Sequence, residues 1–203
     1  LVLGLMLFLT AIVGVVGFTA SMNLTRKAEQ VNHQLIPKLQ ALGEFEGLSG
    51  ALRLRSMRVA FSATKEAIEQ EKAGLERDKE QWSKALGLYK SESISGTERP
   101  LIEGLEAEGQ AQIRFCEEIV SNSESGKDDV AIELYDGASK EQFESKLLPA
   151  LDSLSLFIKD ESDKSDSQIG GAARQAQTAI MAISLLAIIL GSWLCVFITR
   201  VLV

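Results

Sequence analysis

The sequence predicts an all-α protein, an up-down-up-down four-helix bundle flanked by two transmembrane helices, and three observations predict it. Uncharged apolar runs stand at both ends of the chain, over residues 1–20 and 179–199. The polar stretch between them, 21–178, repeats its apolar residues at helical rather than strand spacing. Its breaker clusters are short, and helices joined by short loops pack as antiparallel neighbours.

Each end run matches the roughly 20 apolar residues needed to cross a bilayer core. The first is too long in its apolar region, and lacks the basic start, for a cleaved secretory signal. It is expected to be a span whose natural N-terminus has been cut away. Arg200 is the single charge outside 21–178, so the middle holds 20 basic and 28 acidic residues, a net of minus 8. That balance argues against a nucleic-acid partner, although a local basic cluster can still hold a small anion. Orientation is not set by charge: Arg26 and Lys27 follow the first span and only Arg200 the second, and long domains are translocated largely regardless of such residues. Cys116 and Cys195 lie in different environments, so no disulfide framework is expected, and Cys116 is expected to be a small core residue.

The first helix is expected to continue from the span to about Lys65, burying Ala28, Val31, Leu35, Leu39, Leu42, Phe45, Leu52 and Val59, with a kink at Pro37. After a turn at 64–66, the second helix carries Ile68, Leu75, Trp82 and Tyr89 at seven-residue intervals, with Leu86 beside them. The cluster 91–97 ends it. Thr97 is the expected N-cap of a third helix, with Pro100 in its first turn and Leu101, Leu105, Gln112, Phe115, Cys116 and Ile119 inward. The break at 121–126 follows. Asp128 is expected to cap a short helix ended by Gly137, and Ser139 with Gln142 to form a capping box opening the fourth helix. That helix would bury Phe143, Leu147, Ala150, Leu154, Phe157 and Ile158. The first helix, about 45 residues or 67 Å, outruns the second and third, about 26 residues or 39 Å each. The excess predicts a weak two-helix stalk pairing 21–37 with 159–178, where Ile169 is the one large apolar residue in the second strand of the pair.

The order of these parts resembles the sensor half of a bacterial methyl-accepting chemotaxis protein. The residues that carry the resemblance are LIPKLQAL at 35–42, YKSESISGTERPL at 89–101, the region of Pro149, and ITRVLV at 198–203, which is similar to the entry of a HAMP linker. The resemblance implies four parts. These are a span at 1–20, a periplasmic bundle with its stalk at 21–178, a second span at 179–199, and the start of HAMP at 200–203. It also implies a multi-pass location in the bacterial inner membrane, a homodimer, and a signal passed through the second span to a cytoplasmic kinase-control region. Sensor histidine kinases and cyclases use similar ectodomains, so that output module stays open.

Arg55 and Arg58 are the sharpest chemical feature. At 100° per residue they lie about 60° apart on one helix face, while Arg53 points roughly 140° away. A guanidinium is a planar fork matched to carboxylate. The alternative is that these arginines pair with acids on neighbouring helices, such as Glu117 or Glu118. In aspartate- and serine-type receptors of the family, first-helix arginines hold the ligand carboxylates across the dimer interface. Arg58-Val59-Ala60-Phe61-Ser62 is similar to the last of these, whereas Arg53 and Arg55 do not keep the family spacing. Ser62, with Tyr135 or Gln142, is expected to complete such a pocket at the outer end; the alternative is an internal pocket within one subunit, served by Arg114. The expected ligand is a small anion, an amino acid or an organic acid. No cofactor, metal spacing, phosphate loop or nucleophile constellation is present in the sequence, and His33 falls in the stalk. A non-sensing bundle, acting as a spacer or docking platform, is the competing reading.

Overall fold

The computed structural model describes residues 2–62 and 64–202, and every element in them is helical. The order is α1 (Val2–Gln30), a π-helical turn (Val31–Leu35), α2 (Ile36–Ala60), α3 (Lys65–Ser91), α4 (Arg99–Glu124), α5 (Asp128–Leu134), a π-turn (Tyr135–Ser139), α6 (Lys140–Gln142), a π-turn (Phe143–Leu147) and α7 (Leu148–Leu202). Two compact units are distinguished, residues 33–161, and residues 1–32 together with 162–203.

The first unit is the four-helix bundle. Its rods are α2, α3, α4 and the run from α5 into the start of α7. The seven-residue seam of α3 is buried as its spacing predicts, with Ile68, Leu75, Trp82, Leu86 and Tyr89 all in the core. Phe45 of α2 packs on Trp82, ring centroids 5.0 Å apart and tilted by 53°, and on Tyr89 at 6.4 Å. Across the core, the Trp82 indole fills the place a Cβ would take at Gly109 of α4. A glycine is needed there for the two helices to approach. Leu39 departs from expectation: it is 44% exposed, because Lys38 and Leu42 on either side take the inward directions of that turn.

Pro37 stands in the first turn of α2, directly after the π-turn 31–35. The ring removes a backbone donor, and a π-turn accommodates the interrupted ladder. Thr64 caps α3, its side chain accepting from the Ala67 amide at 3.3 Å. Thr97 does not cap α4. Ser95 does instead: its Oγ accepts from the Glu98 amide at 3.2 Å, while the Glu98 carboxylate accepts from the Ser95 amide at 3.1 Å. This is a capping box set back from the helix start.

The fourth rod differs most from its sequence reading. Gly137 does not end a helix, Ser139 and Gln142 form no capping box, and Asp128 opens the first turn of α5 without a side-chain cap. The reason is a period of four. Ala131, Tyr135, Ser139, Phe143, Leu147 and Leu151 all face the core. In a pure α-helix each four-residue step overshoots a full circle by about 40°, so five steps would carry the stripe about 200° round, to solvent. Each π-turn takes in one extra residue, about 100°, and the two together cancel that drift. Leu151, Leu154 and Ile158 then return to α-helical spacing.

Among the described residues, the helical run Asp128–Trp193, which begins in the bundle and continues into the second unit, holds the one apolar window long enough to cross a membrane, and Ala11–Asn23 is a shorter apolar stretch. Val15 and Phe18 are exposed there, as are Leu185, Ile188 and Trp193. Val15, Thr19 and Asn23 line a shallow cavity of about 360 Å³ with Ala172, Ala176 and Ala179. The expected burial of Ala28 and the expected linker entry at 200–203 fall on side chains outside the described residues.

Candidate functional site

Two polar clusters mark opposite ends of α2. At its start, Lys38 Nζ lies 2.7 and 2.9 Å from the two oxygens of Glu98 and donates to the Ser93 carbonyl at 2.8 Å. Tyr89 OH donates to the same carboxylate at 2.6 Å. Glu98 is 1% exposed. Burial alone would push its carboxyl up. Lys38, Tyr89 and the Ser95 amide outweigh that and hold it below the usual range. The phenol of Tyr89 is pushed up in turn, by burial and by the carboxylate beside it. These contacts join LIPKLQAL to YKSESISGTERPL, so two stretches of unrelated appearance meet in one buried clasp.

The other end of α2 holds the arginines. Arg55 Nε donates to Asp78 Oδ2 at 2.5 Å and its NH1 to Glu71 Oε2 at 2.9 Å. Asp78, first among these, raises the Arg55 pKa above its ordinary value. Gly74 makes this possible, since the guanidinium occupies the space of a Cβ there. Arg58 reaches the second oxygen of Glu71 at 3.3 Å and keeps a side chain 54% exposed. The two arginines therefore share a face, as 100° per residue requires. Their acids are Glu71 and Asp78 of α3 rather than Glu117 or Glu118 of α4; Glu117 pairs with Lys79. The reason is proximity along the α2–α3 hairpin. A signal for this existed in the sequence: Glu71 and Asp78 sit seven apart on the buried side of α3, between Ile68, Leu75 and Trp82, and a carboxylate at such a position needs a cation.

Arg58, Ser62, Gln70 and Glu71 form the polar part of an open cavity of about 520 Å³ at the α2–α3 turn, and Met57, Phe61 and Ala67 its apolar part. Ser62 Oγ donates to the Arg58 carbonyl. Tyr135 does not line the cavity. It touches Phe61 edge-on, centroids 6.0 Å apart, and stacks under Arg53, whose guanidinium carbon lies 3.7 Å from the ring centre. Gln142 is engaged elsewhere, donating to the Glu108 carboxylate at 2.6 Å. Arg114 is exposed on α4. Of the six expected residues, the structure thus brings Arg58 and Ser62 to the cavity, sets Arg55 behind them, places Tyr135 one contact away and leaves Gln142 and Arg114 apart. Met57, Phe61 and Arg53 were not anticipated.

Chemically, the cavity offers a half-exposed guanidinium paired with the Glu71 carboxylate, a hydroxyl that donates to the Arg58 carbonyl, and the Gln70 amide, beside an apolar wall. It has no nucleophile paired with a base. Among the described residues, no cluster of three His, Cys, Asp or Glu is placed to hold a metal. Cys116 is buried among Ser56, Gln112 and Leu52, and burial pushes its thiol up to about 11.

Residues 1–169 match the family model of the four helix bundle sensory module for signal transduction. The chain belongs to that family. No curated protein and no solved structure matches it. As a member of the sensory-module family, the protein is a signal-transduction sensor domain, and the family is not one of enzymes. The matched residues include both polar clusters, the Lys38–Glu98 clasp and the cavity at the α2–α3 turn.

Proposed function

We propose that this sensory module is the sensor region of a transmembrane chemoreceptor. In this reading it binds a small carboxylate, an amino acid or organic acid, at the α2–α3 cavity. The signal passes along α7 to a cytoplasmic kinase-control module. The observation that carries the reading is the asymmetry of the two arginines. Arg55 is held by two acids and set behind the cavity, whereas Arg58 is more than half exposed, meets Glu71 at 3.3 Å and lines the cavity. A ligand carboxylate can take the outward donors of Arg58 without disturbing the Arg55–Asp78 pair.

The exposed apolar residues near both chain ends, and the apolar window of the α7 run, support a membrane setting; the periplasmic side for the bundle and the start of HAMP at 200–203 belong to the same reading and rest on the family. A homodimer is supported by one face of α2. Ile36, Leu39, Gly43, Gly47, Gly50, Leu54, Met57 and Phe61 are all exposed and follow one another at steps of three and four, the spacing of a helix-pairing seam. The three central glycines have open space where a Cβ would stand, so a second α2 can approach closely.

Isothermal titration of the full chain in detergent with a panel of amino acids and di- and tricarboxylates tests the reading. Binding heat that disappears in Arg58→Ala supports it, and a silent panel removes direct carboxylate sensing. A second reading, a non-sensing spacer or docking platform, is favoured by the pairing of both arginines with native acids. It expects no heat with any of these compounds.

A further inference from the structure

The π-turn Tyr135–Ser139 is one of two interruptions of the α-helical ladder in the fourth rod, and one side chain from another helix grips it. Arg53 NH1 donates to the Tyr135 carbonyl at 3.0 Å, and the guanidinium plane stacks on the Tyr135 ring. A π-turn breaks the ordinary i to i−4 ladder, so carbonyls within it are the ones most in need of an outside donor. Arg53 supplies that donor at the first residue of the turn. It is the one arginine of the three that faces the fourth rod instead of α3.

The turn is also tied to the cavity. Phe61, 57% exposed on the cavity wall, meets the same ring edge-on at an interplanar angle of 82°. Tyr135 is therefore in contact with both a cation and a cavity-lining aromatic. On the inner face of the turn, Ser139 accepts from Gln112 Nε2 at 3.1 Å, whereas Gln112 Oε1, fully buried, has no hydrogen-bond partner. The packing layer behind the turn is thus polar and incompletely satisfied, a weak layer beside a weak stretch of helix.

From this geometry we propose that Arg53 is a positioning residue that latches the π-turn of the fourth rod, and that Phe61 couples this latch to occupancy of the cavity. The coupling rests on the cavity being the sensory site; the latch does not. Displacing Phe61 would loosen Tyr135, weaken the Arg53 contact and let the extra residue of the turn move along the rod. One residue of slip advances a helix by about 1.5 Å and turns it by about 100°. The neighbouring π-turn Phe143–Leu147 is a second place that can take up the same extra residue, so the slip need not unpack Leu151, Leu154 or Ile158.

Amide hydrogen exchange of the unliganded full chain in lipid nanodiscs tests this directly. Arg53→Gln should raise exchange at the amides of residues 136–140 about tenfold, with the amides of 82–86 in α3 unchanged. Phe61→Ala should raise the same amides, and Tyr135→Phe should not, because the phenol oxygen takes no part in the stack. Deleting Gly137, an exposed residue of the turn, should convert the π-turn to α-helix, leave the fold intact, and abolish the effect of Arg53→Gln. Unchanged exchange in Arg53→Gln overturns the latch, as does a Gly137 deletion that unfolds or still responds to Arg53→Gln. Unchanged exchange in Phe61→Ala overturns the coupling alone. None of these outcomes depends on carboxylate binding, so failure of the latch and failure of the sensing reading are separable.

Discussion

Lys38 Nζ sits 2.7 Å from Glu98 Oε1, and that contact fastens the first turn of α2 to the residue that leads into α4. Both side chains are almost wholly removed from solvent. A buried pair of this kind contributes little over an apolar pair of equal shape, yet leaving one member alone is costly.

Glu98→Gln is therefore expected to lower unfolding stability by about 3 kcal/mol, because the Lys38 ammonium loses its counter-charge. Lys38→Met should cost a similar amount, and the double variant less than the sum of the two. Urea unfolding of the three chains measures the coupling, and additive losses would show that the clasp does not act as a unit.

The clasp also sets a pH dependence. Glu98 titrates below its ordinary value in the folded protein, so it binds protons more readily when unfolded. Its contribution is complete at neutral pH, begins to fall near the unfolded carboxylate value of about 4.3, and is lost as pH drops through the folded value. Melting temperatures of the parent and Glu98→Gln should converge as pH falls from 7 to 3. A constant gap would mean that the carboxylate is not the source.

Gly74 and Gly87 lie on the same helix and should respond oppositely to alanine. At Gly74 the new methyl displaces Arg55 and leaves the buried Asp78 without its partner, a loss of about 1–3 kcal/mol. Gly87 faces open space, where alanine should add about 0.5–1 kcal/mol through helix propensity. Thermal melts of the two variants distinguish the sites.

Gly47→Cys places a thiol in the middle of the exposed α2 seam. Mild oxidation should link two chains rapidly, while Lys84→Cys on an outer face of α3 should not. Both variants are made with Cys195→Ser, and Cys116, buried and with its thiol pushed up to about 11, does not compete. Non-reducing electrophoresis reads the result, and equal cross-linking at both positions would remove α2 as the dimer face.

Much of the bundle was legible because its signals are local. The seven-residue seam from Ile68 to Tyr89 needs only the period of an α-helix to be read. The fourth rod was harder, because Ala131, Tyr135, Ser139, Phe143, Leu147 and Leu151 are not all apolar, so their period of four was masked by a serine. The Ser95–Glu98 capping box was missed for a different reason: Thr97, two residues before the helix start, is by residue type an equally good cap.

By itself the sequence determined the helical class, the apolar ends, and the placing of Arg55 and Arg58 on one face, all consequences of spacing along a single chain. Tertiary structure decided which carboxylates those arginines meet, which of them stays open to a ligand, and that Arg53 turns to the π-turn at Tyr135. These depend on which helices become neighbours and at what register. A charged side chain can reach any acid within several ångströms, and only packing selects among Glu71, Asp78, Glu117 and Glu118.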